Sequence, residues 1–285
     1  FFPNNTNLEI DPDWGVGHKK GSVAHFTEMQ PPMKDFATLA EFEAYPYPDA
    51  VGDYDWSAFP AKVSTIQDRD LVAVAAMQMT IFEIAWYLRG METFLIDLLL
   101  NPDLVSYHLD RITAIRCEMA GRYAAAGCDV LSLGDDVSTQ LSMMMKVTTW
   151  REFIKPPLAK VIQAAKSAKP DILIFYHGDG NLQAIIPELI EIGVEILNPV
   201  QPECMDPVAI KNQYGDRLSF WGAIGTQTVM PFGTPQQVRE VCERMIREVG
   251  RGGGLGLAPT HVLEPEVPWA NIQAFVDVVK EHNIQ

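Results

Sequence analysis

From residue 70 onward, short apolar runs alternate with longer stretches in which apolar positions recur every three to four residues. The short runs, at 71–76, 129–133, 172–176, 194–198, 218–221 and 255–258, predict strands. The periodic stretches predict helices over 81–100 with 102–126, then 150–168, 182–192, 207–214 and 235–249. Strand–helix–strand repetition implies parallel pairing through right-handed crossovers. Residues 1–60 read differently. They are rich in Pro, Asp and aromatics, as in Pro31-Pro32 and Tyr45-Pro46-Tyr47-Pro48. A short β-hairpin over 16–27 and a short helix at Leu39–Ala44 are expected there, with loop elsewhere. The expected organisation is an irregular N-terminal segment, 1–60, packed on a β/α domain, 61–285.

Six strands fit an open doubly wound sheet as well as part of a closed barrel. The placement of polar residues separates the two. Asp135-Asp136 follows the second strand, His177-Gly-Asp179 the third and Gln201–Cys204 the fourth. Thr226-Gln227 follows the fifth and His261 the sixth. Chemistry spread over the carboxyl ends of many strands marks a barrel mouth, whereas an open sheet gathers it at one switch point. No GxGxxG opens the first strand–helix unit, so a dinucleotide fold has no support. The fold class expected is α/β, a (β/α)8 TIM-type barrel, and 285 residues suit one such domain.

Composition narrows the partners. The 37 acidic and 22 basic side chains give a formal net charge of −15. That speaks against nucleic acid and against an anionic membrane surface. No run of 18 apolar residues is present to span a bilayer. Cys117, Cys128, Cys204 and Cys242 form no CxxC pair, and reduced thiols in a cytoplasmic protein are expected.

The sharpest local feature is Phe175-Tyr-His177-Gly-Asp179-Gly-Asn181. A histidine ends a buried strand, and two glycines let the backbone turn closely. A lone histidine there can simply cap the strand and bond a neighbouring carbonyl. Its company decides. Glu203 and Cys204 lie just past the next strand and His261 just past the last, so a barrel opens all these loops on one face. Two imidazoles, a thiolate and carboxylates suit zinc with an open position for water or substrate. The spacings, 27 residues from His177 to Cys204 and 57 from Cys204 to His261, are no metal motif in themselves. Cys204 reads equally as a small buried hydrophobe, and Glu203 as a surface charge. Of the pair Asp135 and Asp136, one carboxylate is expected to face the mouth as general acid, base or substrate anchor, the other to cap a helix or bond a loop amide. Gln140, Tyr176 and Gln227 are expected substrate contacts, and Met143-Met144-Met145 reads as pocket lining or core filler. Gly250–Gly256 lacks the Lys-Ser/Thr of a phosphate loop and precedes a strand, so a flexible turn is expected.

Taken together, Gly134–Gln140, His177–Asn181, 185–206, 220–234 and 252–271 resemble the uroporphyrinogen decarboxylase superfamily. The resemblance implies a (β/α)8 barrel, and about two barrel strands upstream of the point where this chain starts. It implies one of two chemistries: cofactor-free decarboxylation, or zinc-dependent methyl transfer with a corrinoid carried by a partner protein. The methyltransferase branch is the closer. It has His-x-Cys where this chain has His177-Gly178-Asp179, and a further Cys at the place of His261. The resemblance keeps the first ligand and replaces two sulfurs by Asp179 and His261. The ligand set expected is His177, Cys204 and His261, with Glu203 or Asp179 as a fourth ligand or outer partner. The decarboxylase branch fits less well. Its arginine-rich N-terminal segment is not in this chain, and Pro259-Thr-His261 stands where it has Gly-His-Gly.

The expected function is zinc-dependent methyl transfer between a small methylated compound and a corrinoid protein. A methoxylated aromatic is the expected donor, given Phe1, Phe2, Trp14 and Trp56 ahead of the barrel. Decarboxylation of a porphyrinogen acid and a catalytically silent binding barrel are the alternatives.

Overall fold

The computed structural model describes residues 8–21 and 27–282. The chain forms two compact units: residues up to Leu131 together with Met145–Ile172, and Ser132–Met144 together with Leu173 onward.

In the first unit, β1 (Glu9–Ile10), β2 (Gly17–Lys20) and β3 (Thr27–Gln30) form an antiparallel sheet. The predicted hairpin supplies its last two strands, and residues 22–26 of that hairpin lie outside the described residues. Helix α1 (Leu39–Ala44) starts where Thr38 and Glu41 form a capping box, which satisfies amides left open at a helix start. Helix α2 (Phe59–Gln67) is not among the predicted elements, and only its first two residues fall in the stretch expected as loop. Its Pro60 sits in the first turn, where a missing N–H costs nothing. Strand β4 (Val74–Gln78) follows. The predicted 81–100 helix is two, α3 (Phe82–Arg89) and α4 (Met91–Leu100), because Gly90 turns the chain at φ +88°. Helix α5 (Pro102–Ala125) buries Val105, Leu109, Ile112 and Ala120. After β5 (Val130–Gly134), the predicted 150–168 helix again divides, into α6 (Val147–Phe153) and α7 (Lys155–Ala168). Pro156 and Pro157 open α7, and prolines are tolerated only in a helix's first turn.

Arg89 and His108 are among the polar groups this unit buries. Arg89 pairs with Asp97 at 2.7 Å and donates to the carbonyls of Met33 and Lys34. His108 lies between the Tyr47 hydroxyl, 2.7 Å from Nδ1, and the Ala85 carbonyl, 3.1 Å from Nε2. Phe42 and Phe94 meet the imidazole edge-on. Both groups are hydrogen-bonded to several partners, as burial requires.

The second unit continues the β/α alternation: β6 (Leu173–His177), α8 (Ile186–Glu191), β7 (Ile196–Asn198), α9 (Pro207–Tyr214) and β8 (Ser219–Ile224). Then come α10 (Val229–Phe232), α11 (Pro235–Glu248), β9 (Leu255–Pro259) and α12 (Trp269–Glu281). The strand order is β4-β5-β6-β7-β8-β9, sequential neighbours throughout, with parallel pairing from β6 to β9. Sequential parallel order with a helical crossover after each strand is the order of a (β/α) barrel. The fold is therefore α/β and of barrel type. Six strands were expected in the β/α part, and six form this sheet. The glycine-rich stretch is a turn into β9. Gly252, Gly253 and Gly254 all take positive φ, and Lys211 Nζ donates to the Gly253 carbonyl.

Register brings the strand ends level. His177 lies opposite Asn198, and Ile224 opposite Pro259. The loops that follow these residues therefore leave the sheet from one edge, which is where the polar residues of the sequence collect.

Candidate active site

His177 is the last residue of β6, and its surroundings fix its chemistry. Nδ1 lies 2.5 Å from Asn198 Oδ1. The Asn198 amide is itself oriented, because Nδ2 donates to the Trp221 carbonyl at 2.9 Å. Oδ1 therefore accepts, and Nδ1 carries the proton. The free lone pair is on Nε2, which faces Asp136 Oδ1 at 3.7 Å and Asp179 Oδ1 at 3.8 Å. Ligand atoms of Asp136, His177 and Asp179 all lie within 4.8 Å of one another. His261 adjoins this group through Asp179, Nε2 to Oδ2 at 3.8 Å.

The loops that carry these groups are stitched together. Asp136 Oδ1 accepts from the Asp179 amide at 2.8 Å, and Ser138 Oγ donates to the Asp179 carbonyl at 2.7 Å. Gly180 takes φ +89°, and a Cβ there would run into the Thr139 carbonyl. Gly134 is equally constrained, since a Cβ would come within 2.6 Å of the His177 carbonyl. Burial raises the Asp179 carboxyl above its ordinary pKa. Asp136 adds to the rise, and His177 and His261 oppose it. Two carboxylates this close share a site unwillingly unless a cation lies between them.

Other expected residues fall elsewhere. Asp135 is fully buried and takes the Tyr176 hydroxyl on its backbone carbonyl at 3.2 Å. Tyr176 is itself fully buried and presents no surface to a ligand. Asp136 is the member of the aspartate pair that faces the cluster. Glu203 turns toward the loop after β8: Oε1 accepts from Thr228 Oγ1 at 2.8 Å and from the Gln227 amide at 3.2 Å. Gly225 leaves the room, since a Cβ there would collide with that carboxylate. Cys204 lines a separate hollow of about 540 Å³ with Arg244 and Glu248. Its thiol is pushed up by burial first, then by Glu203 and Asp179. Gln140 Nε2 donates to Gln227 Oε1 at 2.6 Å, joining two loops at the rim.

A cleft of about 460 Å³ opens beside the cluster. Asp179, Gln201, Thr226, Gln227, Thr260 and His261 form its polar part, Pro231, Phe232 and Val262 its apolar part, and Glu264 and Glu266 complete it. The sequence places Gln201 and Thr226 at the mouth without assigning them a role, and Asn198 and Thr260 are not singled out by it. Asn198 had a signal, since an asparagine ending a strand next to one that ends in histidine can set the ring's tautomer.

The residues present suit a divalent ion. One imidazole nitrogen and two carboxylates converge, the imidazole is locked by a second partner, and Asp179 and His261 line an open cleft. The donors are nitrogen and oxygen, a set that takes zinc or a harder first-row ion.

Parallel β/α order with titratable groups at successive strand ends defines an enzyme-type barrel site. The family model for uroporphyrinogen decarboxylase (URO-D) matches residues 23–282, and the chain belongs to that family. A uroporphyrinogen decarboxylase of Chlorobium phaeobacteroides is 25% identical over 65% of this chain and 51% of its own length. One from Pseudomonas syringae pv. tomato is 25% identical over 88% of this chain and 71% of its own. A methylated-thiol–coenzyme M methyltransferase of Methanosarcina mazei is 24% identical over 70% and 51%. With the first of these relatives, as with that methyltransferase, the match spans about half of the relative's length. Among solved structures, a methyltransferase from Methanosarcina mazei superposes with a TM-score of 0.68 at 20% identity, over 95% of this chain and 76% of that one. At that identity the likeness is one of fold. No helix among the described residues is long and apolar enough to cross a membrane.

Proposed function

We propose that this chain is a metal-dependent methyltransferase, moving a methyl group from a small methylated compound to or from a corrinoid carried by a partner protein. The observation that carries the reading is the convergence of His177 Nε2, Asp136 and Asp179 at the cleft, with the imidazole locked by Asn198. The methyltransferase name among the relatives supports it. A divalent ion supplies Lewis acidity toward the oxygen, nitrogen or sulfur that gains or loses the methyl group. Asp136, His177 and Asp179 hold it, and His261 orients Asp179 or joins them as a fourth ligand. Asp179 also faces the cleft, where it can take or give a proton as the leaving group departs. Gln227 and Gln140 close the rim. A methoxylated aromatic is one donor of suitable size.

Decarboxylation of a porphyrinogen acid is the second reading, favoured by the names of six relatives. It must meet a cleft whose described lining holds three carboxylates and neither lysine nor arginine, a poor host for a polycarboxylate.

Metal analysis of the purified protein tests the first reading. Stoichiometric zinc or another first-row ion, lost in His177→Ala and Asp179→Ala, is expected. A protein that takes up no such ion after incubation overturns it. Turnover of uroporphyrinogen would install the second.

A further inference from the structure

The cleft beside the cluster has a chemical character of its own. Its described lining carries Asp179, Glu264 and Glu266 and no lysine or arginine. A divalent ion held by Asp136 and Asp179 would cancel those two charges, and Glu266 still leaves a carboxylate on the lining. Phe232 stands at the same opening, 80% exposed at the end of α10. An exposed aromatic face beside carboxylates attracts a cation that is weakly hydrated, above all an alkylated ammonium, which keeps its charge but sheds water easily.

A second feature fixes the other end of a ligand. Gln201 is 5% exposed, yet it lines the cleft. Its Oε1 accepts from the Gly180 amide at 3.3 Å. Its Nε2 finds no acceptor among the described residues, and it is not sealed from solvent. A buried amide donor held open toward a cleft seeks an oxygen acceptor on whatever enters. Thr226 and Thr260, 3.2 Å apart by their hydroxyls, flank the same wall.

We propose that the cleft binds a small methylated ammonium compound bearing an oxygen acceptor, with its cationic head between Phe232 and Glu266 and its oxygen on Gln201 Nε2. This rests on the methyl-transfer reading in one respect, that the compound is the methyl donor. In that role the C–N bond breaks, its electron pair stays on nitrogen, the methyl group passes to the nucleophilic corrinoid of the partner, and the amine leaves uncharged.

The test is binding, which needs no turnover. Choline and its uncharged isostere 3,3-dimethylbutan-1-ol share shape and hydroxyl and differ in charge. Titration of the full chain with each, and with 4-methoxybenzoate as an anionic control, is expected to give a preference for choline of about tenfold. Glu266→Gln and Phe232→Ala should each reduce choline affinity several-fold and leave the isostere unaffected. Gln201→Leu should weaken both hydroxyl compounds together. Equal binding of choline and isostere, tighter binding of the benzoate, or binding of none of the three overturns the proposal. The metal reading fails separately: a protein that holds no metal but prefers choline keeps this inference and loses the methyltransferase.

Discussion

Asn198 decides which nitrogen His177 offers. Its Oδ1 holds the Nδ1 proton and leaves Nε2 facing Asp136 and Asp179. Asn198→Leu keeps the volume and removes the acceptor. The ring is then free to turn or change tautomer, and metal affinity should fall about 10- to 100-fold, as measured by competition with a chromogenic chelator. An unchanged affinity would mean that His177 is not a ligand. His108 is the contrasting histidine. Burial is the main cause that lowers its pKa to about 4, and Nδ1 and Nε2 are both engaged. In the unfolded chain it protonates near pH 6.5. Stability should therefore be fully present above about pH 6.5 and decline as the pH falls toward 4, where the folded ring also takes a proton. The interval corresponds to roughly 3 kcal/mol. Urea titrations between pH 7 and 4 check it, and His108→Gln should flatten this part of the profile.

At the scale of elements, Glu203 is read by the structure as a clamp on the loop after β8. It holds the Gln227 amide and the Thr228 hydroxyl, and Gly225 makes room for it. Glu203→Gln can still accept both bonds, whereas Glu203→Ala cannot. The alanine variant should exchange the amides of 225–228 faster and lose about 1–3 kcal/mol, with metal content unchanged. Metal loss in both variants would return Glu203 to the ligand set. The elements themselves were largely legible. Strand β5 is buried at all five positions and reads as one apolar run. Strand β6 buries Ile174 and Tyr176 on one face and ends in the histidine the sequence singled out. Helix α12 is not predicted because Glu264-Pro-Glu266, just ahead of Pro268, looks like loop, although Ala274 and Val278 bury one face behind it. The direction in which each loop aims its side chains was not legible. Cys204 and Glu203 both line the hollow with Arg244, and Glu203 also ties down Gln227, so neither is part of the cluster of Asp136, His177 and Asp179. Only the backbone path between β7 and α9 decides that.

For the whole molecule, charge and metal binding meet in one measurement. A net charge of −15 means that any divalent ion screens repulsion and raises stability somewhat. Specific binding adds a further gain that depends on the ion's identity. An ion present at 100 times its dissociation constant stabilises the folded chain by about 2.7 kcal/mol. In a chain of this size that amounts to roughly 5–10 °C in Tm, at about 2–4 °C per kcal/mol. Magnesium at the same ionic strength supplies the screening but prefers six oxygens and gives up its water reluctantly, so it should leave most of that gain unrealised. Zinc or cobalt should raise Tm well beyond magnesium, and the excess should vanish in His177→Ala while the shift common to all divalent ions persists. If zinc and magnesium act alike on both proteins, the carboxylates at the cleft are a solvated acidic face, and the metal-dependent reading falls with them.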